Sequence, residues 1–129
     1  MAHNILLVDD DVDYLTAMRL QLESAGYHVT AVESVAAAHE ALKTLTPDAA
    51  VVDLMINEPD DGFIMCHFLK KHHPSVPVIL VTAVTSETGL DFDASTKEER
   101  AWIKADVVLA KPVRFEQLER ELSRLGVEA

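Results

Sequence analysis

Cysteine is almost absent: Cys66 is the only one in 129 residues. No disulfide can form within the chain, and this usage fits a reducing compartment. Positive charge is scarce too, with 11 lysines and arginines against 22 aspartates and glutamates, and a net charge of −11. Gripping nucleic acid or an anionic bilayer needs a basic surface, so direct binding of either by this domain is disfavoured. A basic protein partner or a divalent cation stays compatible. No apolar run approaches the length of a membrane span. The first residues also lack the apolar core and small-residue cleavage site of a secretory signal. Together these absences predict a cytoplasmic domain. Internal repeats, low-complexity tracts and interdomain linkers are missing as well. Residues 1–129 therefore read as a single domain, long enough for a core without covalent staples.

What is present is apolar residue, 49% of the chain, beside an ordinary 26% of charged residues. The organising stretch is Ala49-Ala50-Val51-Val52-Asp53. Four apolar residues without polar alternation suit a strand buried on both faces, as in a parallel sheet covered by helices. Similar runs occur at Ile5–Val8, Val78–Val81 and Val107–Ala110, with a shorter strand at His28–Val32. Helical periodicity fills the gaps. Leu15, Met18, Leu22 and Ala25 share a face that stops at Gly26, with Asp11 or Asp13 as the helix-start carboxylate. Ser34 reads as the cap of a helix through Leu45, with Ala38, Ala41, Leu42 and Leu45 inward. Gly62 opens a third helix, with Ile64, Met65, Phe68 and Leu69 inward and Lys70, Lys71, His72 and His73 at its C-terminal end. Thr96 caps a short helix through Lys104. Phe115, Leu118, Leu122 and Leu125 line a last helix closed by Gly126. It ends close to the terminus, so no output domain is expected within this chain, and its other face leaves a homodimer open. Strands alternating with helices predict an α/β fold: a doubly wound, five-stranded parallel sheet.

Ligands of such sheets bind beyond the carboxyl ends of the strands. Four of the five runs end there in reactive residue types: Asp9 and Asp10, Asp53, Thr82 and Lys111. A strand-ending Asp often does no more than cap a turn; the joint placement argues for a site. Three carboxylates in one cleft repel, by about 4 kcal/mol per pair at roughly 4 Å and an effective dielectric near 20. Lys111 offsets only part of this. A hard divalent cation with oxygen ligands completes the balance, and Mg²⁺ suits carboxylates, water and a phosphate oxygen. Metal, carboxylate, hydroxyl and ammonium together describe a place for moving a phosphoryl group. Asp53 would be the nucleophile that becomes an acyl phosphate.

Leu6-Leu7-Val8-Asp9-Asp10, Val51-Val52-Asp53-Leu54, Val81-Thr82-Ala83 and Lys111-Pro112 closely resemble the motifs of response regulator receiver domains. The resemblance spans nearly the whole chain. It implies the flavodoxin-like strand order 2-1-3-4-5 of a (βα)5 fold. It also implies that Asp53 takes a phosphoryl group from a sensor histidine kinase or a histidine phosphotransfer protein, and that conformational change signals to a downstream target. By the same resemblance Asp10 binds Mg²⁺ directly, Asp9 mainly through water, and the Met55 carbonyl completes the set. Thr82 and the Ala83 backbone N–H receive the phosphoryl oxygens, Lys111 pairs with them, and the Lys111–Pro112 peptide is cis. The domain would be a signalling phospho-acceptor, with phosphotransfer and autodephosphorylation as its only chemistry.

The chain departs from the family in three ways. The loop from Leu54 to Gly62 is longer and more acidic. Lys111 follows Thr82 by 29 positions, which lengthens the segment around residues 85–95. Val108 stands where the family has an aromatic switch residue, so output is expected to run through 85–104 instead. Competing readings are weaker. A contact-only binding module has no need of the intact acidic pair, acceptor and lysine. A dehalogenase-type phosphatase needs a second aspartate where Met55 stands. A flavin phosphate would meet acidic residues after the first strand. His67, His72 and His73 lack the spacing of a helical zinc pair. Cys66 reads as a core or groove residue, and Trp102 as packing for its helix.

Overall fold

The computed structural model describes residues 3–54, 56, 61–82 and 105–127. Each apolar run forms a strand: β1 (Asn4–Val8), β2 (His28–Val32), β3 (Ala49–Asp53), β4 (Val78–Thr82) and β5 (Val107–Ala110). All neighbours pair in parallel in the order β2-β1-β3-β4-β5, the flavodoxin-like order. Among the described residues three helices connect them, α1 (Val12–Ser24), α2 (Val35–Leu42) and α3 (Asp61–His72), and α4 (Phe115–Arg124) follows β5. The helix predicted from Thr96 lies outside the described residues, as do Trp102 and the segment 85–95.

Side chains alternate across a strand with period two, and here both alternating sets are apolar. Ile5, Leu7, Ala49, Val51, Ile79 and Val81 point to one face and meet Leu15, Met18 and Leu22 of α1 and Leu118 and Leu122 of α4. Leu6, Val8, Ala50, Val52, Val78 and Leu80 point to the other, against Ala38 and Leu42 of α2 and Met65, Cys66 and Leu69 of α3. This two-sided burial is why the strands read as unbroken apolar runs. Each fully buried leucine contributes about 2 kcal/mol relative to exposure.

Helix ends follow local chemistry. The Asp11 carboxylate accepts from Tyr14 N at 3.1 Å and starts α1, while Gly26 takes φ 109° just past its end. The Ser34 hydroxyl accepts from Ala37 N at 3.0 Å and starts α2. That helix stops at Leu42 rather than Leu45. Thr44 and Leu45 close as turns on Ala41 O, because Pro47 pushes the residue before it out of the helical region. On α3 the buried set is Gly62, Met65, Cys66 and Leu69. Ile64, expected inward, is 53% exposed, since 3.6-residue spacing from Met65 and Leu69 carries it to the outer side.

Candidate functional site

The carboxyl ends of β1, β3, β4 and β5 share one edge of the sheet, set by the registers Val8↔Val52, Asp53↔Val81 and Thr82↔Ala110. Asp9 leaves β1 with its N–H on Val32 O at 3.2 Å, and its Oδ1 accepts from Asp11 N at 2.9 Å. Asp53 is the last residue of β3 and is held by the next peptide, where Leu54 N donates to Val81 O at 2.7 Å. Lys111 follows β5, its N–H on Thr82 O at 2.8 Å and its bond to Pro112 cis. Asp9, Asp53 and Thr82 are the only buried polar or charged residues described. They lie side by side on this edge.

Gly62 fixes how closely α3 approaches. Its N–H donates to Leu54 O at 2.8 Å. A Cβ there would strike Leu54 Cα and fall 2.5 Å from the Asp53 carbonyl oxygen and 2.7 Å from that of Leu54. Only glycine lets the helix start press against the peptide that carries Asp53.

One carboxylate oxygen from each of Asp9, Asp10 and Asp53 can be chosen so that all lie within 4.8 Å of one another. Against them stands Lys111 Nζ, 3.4 Å from Asp9 Oδ2 and 3.3 Å from Asp53 Oδ2. One ammonium among three carboxylates leaves the cluster short of positive charge. The Asp53 carboxyl is accordingly pushed up to about 6, first by burial and then by the Asp9 charge, with Lys111 pulling the other way and Asp10 adding a little. Burial alone would lower the Lys111 ammonium; Asp53 and Asp9 outweigh it and leave it raised. An excess of hard oxygen donors with an elevated carboxyl among them suits a divalent cation. The donor set fits Mg²⁺.

Of the predicted site residues, Asp9, Asp10, Asp53, Thr82 and Lys111 come together at this edge. Met55 and Ala83 lie outside the described residues. Val108 pairs with Leu80 and packs on the α2–α3 face. Sequence reading missed Tyr14. Its ring lies under Lys111 Nζ, 5.7 Å from the centroid, and its hydroxyl is pushed up to about 12 by burial and by the Asp9 and Asp53 charges. A tyrosine in the first turn behind an acidic pair was the available signal. The histidines stay away from the site: His39 and His72 flank Phe68 at 4.1 and 4.5 Å between ring centroids. Cys66 is buried, its thiol pushed up to about 12 by burial.

The pattern for the response regulator receiver domain matches residues 5–123. Response regulator MprA of Mycobacterium ulcerans is 32% identical over 120 residues, covering 92% of this chain and 47% of that protein. Transcriptional regulatory protein ZraR of Klebsiella oxytoca is 30% identical over 120 residues, covering 93% of this chain and 25% of its own length. Protein RcaC of Microchaete diplosiphon is 28% identical over 125 residues, 95% of this chain and 18% of the relative. The chain thus spans 18 to 47% of these relatives' lengths. Among solved structures, a CheY-like receiver domain protein from Methanospirillum hungatei aligns with TM-score 0.79 at 25% identity, over 98% of this chain and 95% of that one. The BeF3-activated DrrB receiver domain has the same fold, with TM-score 0.78 over 97% of both chains at 24% identity. The chain belongs to the response regulator receiver domain family. Such domains are signalling modules that interact with kinases or phosphotransfer proteins, rather than enzymes with a substrate of their own. No described helix is long and apolar enough to cross a membrane.

Proposed function

We propose that this chain, residues 1–129 acting as one unit, is a Mg²⁺-dependent phospho-acceptor that takes a phosphoryl group onto Asp53 from a phosphohistidine of a kinase or phosphotransfer protein. The observation that carries this reading is the buried Asp53 carboxylate, within reach of Asp9, Asp10 and Lys111 at the carboxyl edge of the sheet. Asp9, Asp10 and Asp53 would hold the cation, with the Met55 carbonyl as a further ligand. When bound, the metal supplies charge neutralisation for the carboxylates and for the phosphoryl oxygens.

Asp53 does the covalent work. With its carboxyl at about 6 in the metal-free protein, most of it is ionised at neutral pH. One carboxylate oxygen attacks phosphorus, the bond from phosphorus to the histidine nitrogen breaks, and its electron pair returns to the imidazole. Lys111, already beside Asp53, stays with the phosphoryl oxygens as charge accumulates there. The Thr82 hydroxyl and the Ala83 N–H take the remaining oxygens. Water attack on the acyl phosphate later returns Asp53 and inorganic phosphate, which limits the signal in time.

A small phosphodonor such as phosphoramidate tests the reading. With Mg²⁺ the protein should gain one phosphoryl group that hydroxylamine removes, and chelation of the metal should prevent it. A hydroxylamine-stable adduct, or uptake unaffected by chelator, would refute it.

A further inference from the structure

Lys111 reaches its carboxylates on a flexible four-carbon stem, and fixing such a chain costs rotamer entropy. Its ammonium is nonetheless confined on two sides. Asp9 Oδ2 and Asp53 Oδ2 lie at 3.4 and 3.3 Å. On another side the Tyr14 ring lies 5.7 Å from Nζ, centroid to nitrogen, within the range of a cation–π contact. The lysine side chain is 27% exposed. Attraction to the carboxylates alone would leave it room to swing toward water.

The ring itself is fixed. Its backbone N–H is tied to the Asp11 carboxylate that caps α1, and its carbon face packs against the core between α1, α4 and the sheet. Its hydroxyl is the one buried side-chain polar atom without a hydrogen-bond partner among the described residues. Tyr14 lines a crevice with Leu7, Leu15, Val81, Asp9 and Asp53 that is too narrow for a water molecule. An unpartnered buried hydroxyl is a liability that a phenyl ring would not carry. The useful part of this side chain is therefore the face of its ring.

We propose that Tyr14 is a positioning residue for Lys111, its ring a fixed platform that keeps the ammonium between Asp9 and Asp53 and so already in place when a phosphoryl group arrives. The kinetic part of this proposal rests on the reading of Asp53 as acceptor. The platform itself does not.

Two measurements separate these. Phosphorylation rates with phosphoramidate at saturating Mg²⁺ are compared for wild type, Tyr14→Phe and Tyr14→Leu, each with Lys111 present and with Lys111→Ala. Tyr14→Leu should slow phosphorylation roughly two- to thirtyfold, the span of a cation–π contact. Tyr14→Phe should keep the wild-type rate, and Tyr14→Leu should have no further effect once Lys111 is alanine. Loss in Tyr14→Phe equal to that in Tyr14→Leu, or an undiminished effect without Lys111, would overturn the proposal. The second measurement needs no phosphorylation: ¹³C relaxation of the Lys111 ε-methylene, assigned with Lys111→Arg. It should report a rigid lysine in wild type and Tyr14→Phe and a mobile one in Tyr14→Leu. Equal mobility in all three would overturn the platform. Absence of any phosphorylation in wild type would instead strike the acceptor reading.

Discussion

Asp53→Asn should make the metal-free protein more stable at neutral pH, and the gain should disappear in acid. In the unfolded chain an aspartate ionises near 3.8, whereas in the fold Asp53 keeps its proton until about 6. The folded state thus holds the extra proton between those values, and stability falls as pH rises from about 4 to 6. Above 6 the penalty is constant. At about 1.4 kcal/mol per pH unit, a rise from 3.8 to about 6 amounts to about 3 kcal/mol. Asparagine fills the same space without charge and escapes it. The cleft is open to water at the exposed Asp10 and at Lys111, which screens its charges, so about 3 kcal/mol is the ceiling, and about 2 kcal/mol is expected. Urea unfolding in EDTA, run on both proteins from pH 4 to pH 7.5, measures the gap. It should be near zero at pH 4 and open through pH 6. A variant less stable than wild type at pH 7.5, or a gap independent of pH, would refute the argument that like charge and burial load this cleft.

Mg²⁺ should raise the melting temperature of wild type, since a ligand bound only by the fold at a hundredfold excess over Kd adds about 2.7 kcal/mol. Asp10→Ala should lose most of that shift, and equal shifts in both proteins would place the metal elsewhere. Gly62→Ala should destabilise the fold by about 2 to 3 kcal/mol, because its methyl must displace the Asp53–Leu54 backbone; wild-type stability by urea unfolding would contradict the close approach. Far from the site, Asp106 Oδ2 accepts from Val78 N at 2.7 Å and from Lys70 Nζ at 2.6 Å. Asp106→Ala should cost about 1 to 2 kcal/mol without changing Mg²⁺ affinity, which calorimetry checks.

The sheet was legible because both faces of β1, β3 and β4 are covered, which leaves an apolar run with no interruption. The site was legible for the same reason: a charged or hydroxyl side chain at the end of such a run can only stand at the sheet's edge. Where one element meets another, the sequence spoke less clearly. Ile64 looked inward beside Met65, yet the face of α3 is chosen by Gly62, whose fit against Leu54 is a tertiary fact. The end of α2 was set three residues early by turns on Ala41 that periodicity does not show. Tyr14 carried only its place behind the acidic pair as a signal, because its partner, Lys111, arrives from the other end of the chain. The elevation of Asp53 likewise depends on Asp9 and on burial, neither visible in the run Ala49–Asp53 by itself.

The central claim is that Asp53 carries the phosphoryl group, and locating the modification tests it most directly. After reaction with phosphoramidate and Mg²⁺, borohydride reduces an aspartyl phosphate to homoserine, and peptide mass spectrometry then reads the position. Homoserine at position 53 and nowhere else is the predicted result. Homoserine at position 9 or 10, or a phosphoryl group retained on a histidine or on Thr82, would contradict it.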